Sequence, residues 1–231
     1  MLKESGQEPQ IPLPEKPLPE VPLPEIPIPK KPPTPLPLYK IVLVGSAGVG
    51  KTALALQFMY NEFQDEYEPT KSGEYRKTVL LDGREVDIDV TDTAGRQENP
   101  DSLNASIRRG EGFLCVFSLV DEDSFKATQD FREKILRLRS VNIPFILVGN
   151  KCDLKGKPAV SSEAVTKKAI QWDVPYVETS AKTCHNVEKV FFDLARKIEA
   201  LKTVRKLPDK PKKDEKPENK PLCQCPCCEI S

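Results

Sequence analysis

The chain has 231 residues, and its 35 lysines and arginines are cancelled by 35 aspartates and glutamates. With no net field to draw it onto a polyanion, nucleic-acid binding is excluded as an expectation. Thirteen of the 23 prolines precede residue 38, so that stretch cannot build a core. Residues 202–222, KTVRKLPDKPKKDEKPENKPL, lack the apolar surface to offset their ordering entropy.

These limits divide the chain into a proline-rich disordered leader (1–38), one domain (39–201) and a tail (202–231). About 160 residues are enough to bury a sizeable core. No run of 18 apolar residues occurs and no apolar signal-peptide centre opens the chain, so it is expected neither to span a membrane nor to be secreted. Cys115, Cys152 and Cys184 are scattered, while Cys223, Cys225, Cys227 and Cys228 crowd the end, which is no disulfide framework and suits a reducing cytosol.

In chain order, the leader repeats as Pro17-Leu18-Pro19-Glu20-Val21 and Pro22-Leu23-Pro24-Glu25-Ile26, a semi-rigid polyproline II rod. It reads as a spacer, or, through Lys16-Pro17-Leu18-Pro19-Glu20-Val21-Pro22, as a ligand for an aromatic groove of the SH3 type. Ile41-Val42-Leu43-Val44 is a buried parallel strand, then a glycine loop and a helix over 52–60 follow. Strands over 75–81 and 86–90 flank the type I′ turn signal Asp82-Gly83. Apolar strands over 113–119 and 144–148 enclose a helix over 124–139. Ser161-Ser162-Glu163-Ala164 opens another helix, Pro175 leads into the short strand 176–178, and Val187, Val190, Phe191, Leu194, Ala195, Ile198 and Leu201 form the stripe of a last helix. Strands alternating with helices predict a doubly wound α/β domain.

Gly45-Ser46-Ala47-Gly48-Val49-Gly50-Lys51-Thr52 fits GxxxxGK[ST] between a strand and a helix, where glycine amides cradle phosphate. Lys51 then reaches the outer phosphates and Thr52 offers Mg²⁺ a hydroxyl. In Asp92-Thr93-Ala94-Gly95, Asp92 is placed to hold a metal-bound water and Gly95 to meet a γ-phosphate. Asn150-Lys151-Cys152-Asp153 follows a strand, and Asp153 can accept both donors of guanine N1 and N2, a pair adenine lacks. Glu178-Thr179-Ser180-Ala181-Lys182 supplies a loop that donates to the guanine carbonyl.

With these motifs and Tyr67-Glu68-Pro69-Thr70-Lys71, Gly110-Glu111-Gly112-Phe113 and Lys189-Val190-Phe191-Phe192, the span 39–201 resembles a Ras-family small GTPase, most similar to the Ral subfamily. The resemblance implies a P-loop NTPase fold, a six-stranded mostly parallel sheet with helices on both faces. It implies a GTP/GDP switch with Mg²⁺, in which Phe63 covers the guanine, Thr70 ligates the metal and Gly95 senses the γ-phosphate. Gly45, Ser46, Ala47, Gly48, Val49, Gly50, Lys51, Thr52, Asn150, Lys151, Asp153, Ser180, Ala181 and Lys182 complete the nucleotide site. Effectors dock through switch I, 67–75, and loss of the γ-phosphate releases the switch loops.

Two departures bear on turnover. The family's glycine before the residue matching Gly48 is Ala47, whose methyl projects toward the attacking water. The family's DTAGQE becomes Asp92-Thr93-Ala94-Gly95-Arg96-Gln97-Glu98; the ungapped alignment puts Arg96 at the catalytic, water-orienting glutamine and Gln97 one step late, while a local slip with a compensating deletion would return Gln97 to it. Slow hydrolysis and a GTP-loaded state are expected, with an essentially non-catalytic effector-binding module as the alternative. Asn99-Pro100-Asp101 replaces residues used for partner contact, which leaves exchange-factor and activator recognition open.

Cys228-Glu229-Ile230-Ser231 loosely fits a prenylation box ending in the serine of farnesyl acceptors; Cys223, Cys225 and Cys227 are candidates for palmitoylation. Residues 202–220 carry eight basic and four acidic groups, net +4, which favours an anionic inner leaflet and the cytoplasmic face of the plasma membrane. A thiolate metal cluster is the rival reading of these cysteines. His185 reads as a capping or surface residue, Trp172 as packing a helix end and Cys115 as core.

Overall fold

The computed structural model describes residues 35–63, 73–93, 100–139, 142–154, 156 and 159–206. Among them six strands, β1 (Leu38–Val44), β2 (Gly73–Leu81), β3 (Arg84–Asp92), β4 (Gly112–Ser118), β5 (Phe145–Asn150) and β6 (Tyr176–Glu178), form one sheet in the order β2-β3-β1-β4-β5-β6. Every neighbouring pair is parallel except the β2–β3 hairpin, whose register runs from Gly73 opposite Asp92 to Leu81 opposite Arg84. Asp82 and Gly83 both have positive φ, 49° and 81°, as the type I′ turn demands.

Among the described residues five α-helices cover the sheet: α1 (Lys51–Tyr60), α2 (Pro100–Arg109), α3 (Glu122–Leu138), α4 (Ser162–Trp172) and α5 (Val187–Lys206). The two-residue alternation of the strands decides which helices meet which face. Ile41 and Leu43 of β1 face α1 and α5, where Phe58 stacks on Phe191 with ring centroids 4.1 Å apart. Val42 and Val44 face the other way, into a cluster with Ile107 of α2, Phe125 and Ile135 of α3, and Val165, Ala169 and Trp172 of α4. Strands β4 and β5 are buried at all positions because both their faces are covered, which is why they read as unbroken apolar runs.

The helix ends follow local chemistry. The Asp121 side chain accepts from the amides of Asp123 and Ser124 and starts α3 at Glu122, two residues before the expected Ser124. Ser161 caps α4 through the amide of Ala164. Two boundaries differ from the expected 39–201 domain. Strand β1 begins at Leu38, and α5 continues through 206 because Lys202 is anchored, its Nζ donating to the Leu38 carbonyl and to Glu111 Oε2 at 2.7 Å each. Helix α2 has no counterpart among the sequence-predicted elements, since only Leu103 and Ile107 mark its inner face.

Burial pushes the Cys115 thiol from 9.0 up to about 12, and burial also raises the Tyr176 phenol. Both groups hold protons that the unfolded chain releases at lower pH. Their contribution to stability is therefore fully present below about pH 9 and is lost as pH rises from about 9 toward 12. Denaturant titrations across that window should show the decline, and Cys115→Ala should flatten part of it. Phe191→Ala should lower stability by about 3–5 kcal/mol in urea unfolding at neutral pH, by removing the ring on which Phe58 stacks.

Candidate nucleotide-binding site

All parallel strands end on the same side of the sheet, so the loops after β1, β3, β5 and β6 converge there. The loop after β1 turns sharply through Gly45, with φ 147°, and a Cβ at this position would collide with the Val116 carbonyl of β4. Gly50, with φ 95°, is the N-cap of α1 and lies against the Asn150 amide group, so a side chain is barred there too. Lys51 is 5% exposed, and its Nζ donates to the carbonyls of Gly45 and Ser46 at 2.9 Å each, arching over the turn. Val49 is buried below the loop, and Ala47 and Gly48 sit at its outer bend.

Where α3 and α4 begin with a side-chain cap, α1 begins without one. Its first-turn amides, in the positive end of the helix dipole, are what a phosphate requires. Thr52 Oγ1 donates to Asp92 Oδ2 at 2.6 Å, bringing a hydroxyl and a fully buried carboxylate to one point. Asp92 ends β3, which is tied to β1 by the Thr93 hydroxyl donating to the Leu43 carbonyl at 2.7 Å. Hard oxygen donors of this kind fit Mg²⁺. Among the described residues no group of three or more His, Cys, Asp or Glu could hold a metal. A cation at Thr52 and Asp92 would complete its shell with phosphate oxygens and water.

The loops after β5 and β6 form the other half. Asn150, 1% exposed, donates from Nδ2 to the Val49 carbonyl at 2.9 Å and accepts at Oδ1 from Thr179 Oγ1 at 3.2 Å. Lys151, with φ 66°, donates to the Gly48 carbonyl at 2.7 Å. Asp153 Oδ1 accepts from Ser180 Oγ at 2.6 Å, and the same hydroxyl accepts from the Thr183 amide at 3.1 Å. Ala181 is buried beside them. The Lys182 ammonium stands 5.8 Å from the centre of the Phe63 ring, which is 37% exposed.

Of the residues singled out from sequence, Gly45 to Thr52, Asp92, Asn150, Lys151, Asp153, Ser180 to Lys182 and Phe63 are brought to this end of the sheet. Thr70, Gly95, Arg96, Gln97, Cys227 and Cys228 lie outside the described residues. Thr179 was not singled out as a site residue, although a buried Asn150 needs a donor for its oxygen and Thr179 supplies it. His185 lies two residues before α5, exposed, in an isolated bridge with Ser180.

Comparison with known proteins agrees with this geometry. The Ras family model matches residues 40–200. The chain is 59% identical over 167 residues to the Ras-related protein Ral-a of Drosophila melanogaster, covering 72% of this chain and 83% of that protein. It is 56% identical to the Ras-related protein O-RAL of Diplobatis ommata and 54% identical to the Ras-related protein Ral-B of Rattus norvegicus, each over 169 residues, 72% of this chain and 82% of theirs. The chain therefore belongs to the Ras family, as a Ral/Ras-like signalling switch that binds GTP or GDP with Mg²⁺ and hydrolyses GTP.

Proposed function

We propose that this switch is a slow GTPase, tethered by lipid to the cytoplasmic face of the plasma membrane, which spends most of its time GTP-loaded and signals through effectors at residues 67–75. In this reading the amides of Gly45 to Gly50 and the start of α1 hold the phosphates, and Lys51 moves its ammonium from loop carbonyls to the outer phosphate oxygens. Thr52, Thr70 and Asp92 would hold Mg²⁺, which when bound would offset charge on the phosphates. Phe63 and the stem of Lys182 cover the guanine, Asp153 accepts from its N1 and N2 donors, and the loop 180–182 donates to its carbonyl.

The observation that carries the slow-turnover reading is Ala47. It lies between Ser46, whose carbonyl takes Lys51, and Gly48, whose carbonyl takes Lys151, so its position is fixed from both sides. It is outside the left-handed region and half-buried, so alanine sits there without backbone strain. The methyl occupies space beside the γ-phosphate that an attacking water and a partner's arginine need. Arg96 at the water-orienting position adds to the defect, because a guanidinium has only donors and cannot accept the water's hydrogen bond as a carboxamide oxygen does. The altered Asn99-Pro100-Asp101 segment changes which exchange factors and activators are recognised. Prenylation at Cys228 with acylation at Cys227 supplies the anchor, two signals being needed for stable attachment.

Protein purified from cells should carry GTP rather than GDP, and single-turnover hydrolysis should be slow. The double change Ala47→Gly and Arg96→Gln should raise the hydrolysis rate by roughly tenfold or more; an unchanged rate would reject the reading. Replacing Asp153 by Ala removes an acceptor for two guanine donors and should weaken guanosine nucleotides by roughly a hundredfold while leaving adenosine nucleotides as they were, measured by calorimetric titration.

A further inference from the structure

Just past the loop after β6, where the chain approaches α5, one polar side chain belongs to no part of the site described above. Strand β6 ends at Glu178, Thr179 and Ser180 are fully buried, and the chain then turns through 181–186 and enters α5 at Val187. Both flanks of this turn are anchored. On the strand side the Thr179 amide donates to the Gly149 carbonyl of β5, and the Thr179 carbonyl accepts from the Cys152 amide. On the helix side Val187, Val190 and Phe191 are buried in the core.

Between these anchors the turn closes on itself. The Ser180 amide donates to the His185 carbonyl at 3.1 Å, forming an isolated antiparallel bridge, and Cys184 and Asn186 take φ of 59° and 53° on either side of His185. Asparagine enters this left-handed region more readily than most residues with a side chain. Glycine would enter it more easily still, so what asparagine adds is a donor. Its Nδ2 donates to the Glu178 carbonyl at 2.9 Å, across the mouth of the turn, and lies 3.0 Å from His185 Nε2. Facing a carbonyl, only the nitrogen of the amide fits, which fixes the orientation of the side chain. The Asn186 carbonyl in turn accepts from the Val190 amide in the first turn of α5. A single residue thus joins the end of β6 to the start of α5.

From this geometry we infer that Asn186 is a positioning residue for guanine recognition: by tying the Glu178 carbonyl it keeps the 180–185 turn closed, and so holds the 180–182 loop and Asp153 where they meet the base. The effect passes through Ser180. Its amide is held by the bridge to His185, and its hydroxyl donates to Asp153 Oδ1 and accepts from the Thr183 amide, so a turn that opens at Asn186 loosens both groups that read the base. The phosphate half is insulated from this change, because Thr179 is held independently by Asn150 and by the Gly149 carbonyl. The inference rests on the reading in which the 180–182 loop and Asp153 contact the guanine.

The experiment compares the full chain with Asn186→Gly and Asn186→Asp, both compatible with a positive φ and neither able to donate to the Glu178 carbonyl. Two nucleotides are titrated in competition: guanosine diphosphate, and purine riboside diphosphate, which keeps the ribose and phosphates but lacks the 6-carbonyl and the N1 and N2 donors. Both variants should bind guanosine diphosphate roughly three- to tenfold more weakly, the worth of one hydrogen bond, and release it faster. Purine riboside diphosphate should bind as it does to the parent. Losses of equal size for the two nucleotides would overturn the inference, since a general loosening of the domain does not distinguish bases, and so would parent-like binding of both. A loss confined to Asn186→Asp would overturn it as well, by assigning the effect to repulsion between carboxylate and carbonyl. Asp153→Ala, titrated alongside, tests the underlying reading separately. Parent-like guanosine binding by Asp153→Ala rejects the assignment of the base contacts, whereas a loss there with none in the Asn186 variants rejects only the role of Asn186.

Discussion

The side chain of Asn150 is the point on which the nucleotide-binding end depends. Its amide nitrogen holds the Val49 carbonyl of the phosphate loop, and its oxygen is held by Thr179 at the end of β6. One buried amide thus fixes the spacing between the glycine loop after β1 and the loops after β5 and β6. Neither half positions the other through the sheet alone, because the loop after β1 and the loop after β6 are separated by β4 and β5. Lys151 repeats the tie one residue later, on the Gly48 carbonyl. A buried network of this kind is rigid only if each member is satisfied, and here donors and acceptors alternate from Thr179 through Asn150 to Val49.

That tie is possible because β1, β4, β5 and β6 are parallel. Parallel strands send every crossover helix back to the starting end, so the N-terminus of α1 gathers at the nucleotide end and the C-termini of α3 and α5 at the other. The two ends acquire opposite helix-dipole character without any charged residue being spent on it. Uncapped amides of α1 suit phosphate at one end. At the other, the carbonyl ends of helices accept from cations, as the Arg108 carbonyl does from Arg139.

Much of this was legible in the sequence wherever a local signal is also the physical cause. Unbroken apolar runs marked β4 and β5 because both their faces are covered, Asp82-Gly83 marked its hairpin because both residues adopt positive φ, and Ser161 marked α4 because it caps it. Legibility failed where the cause is distant. The start of α3 moved because Asp121, and not Ser124, takes the first free amides. The end of α5 moved because Lys202 finds Leu38 and Glu111, contacts that no window along the chain displays. Helix α2 offers only two inward apolar residues and rests on the tertiary frame. Thr179 was overlooked for the same reason, its partner being 29 residues earlier.

Within a single loop, the tolerance for a side chain differs from residue to residue. At Gly45 a methyl would strike the β4 backbone, and at Gly50 it would strike Asn150, so substitution there would break the frame that spaces the site. Gly48 has open space around it, but its φ of 75° strains any other residue. Position 47 carries neither penalty: its backbone is ordinary and it is only half-buried. A methyl group there leaves the ties from Lys51 and Lys151 in place and meets only what enters the loop from outside. Position 47 is thus a place in the loop where a side chain can be added without disturbing the frame, and there the chain carries alanine.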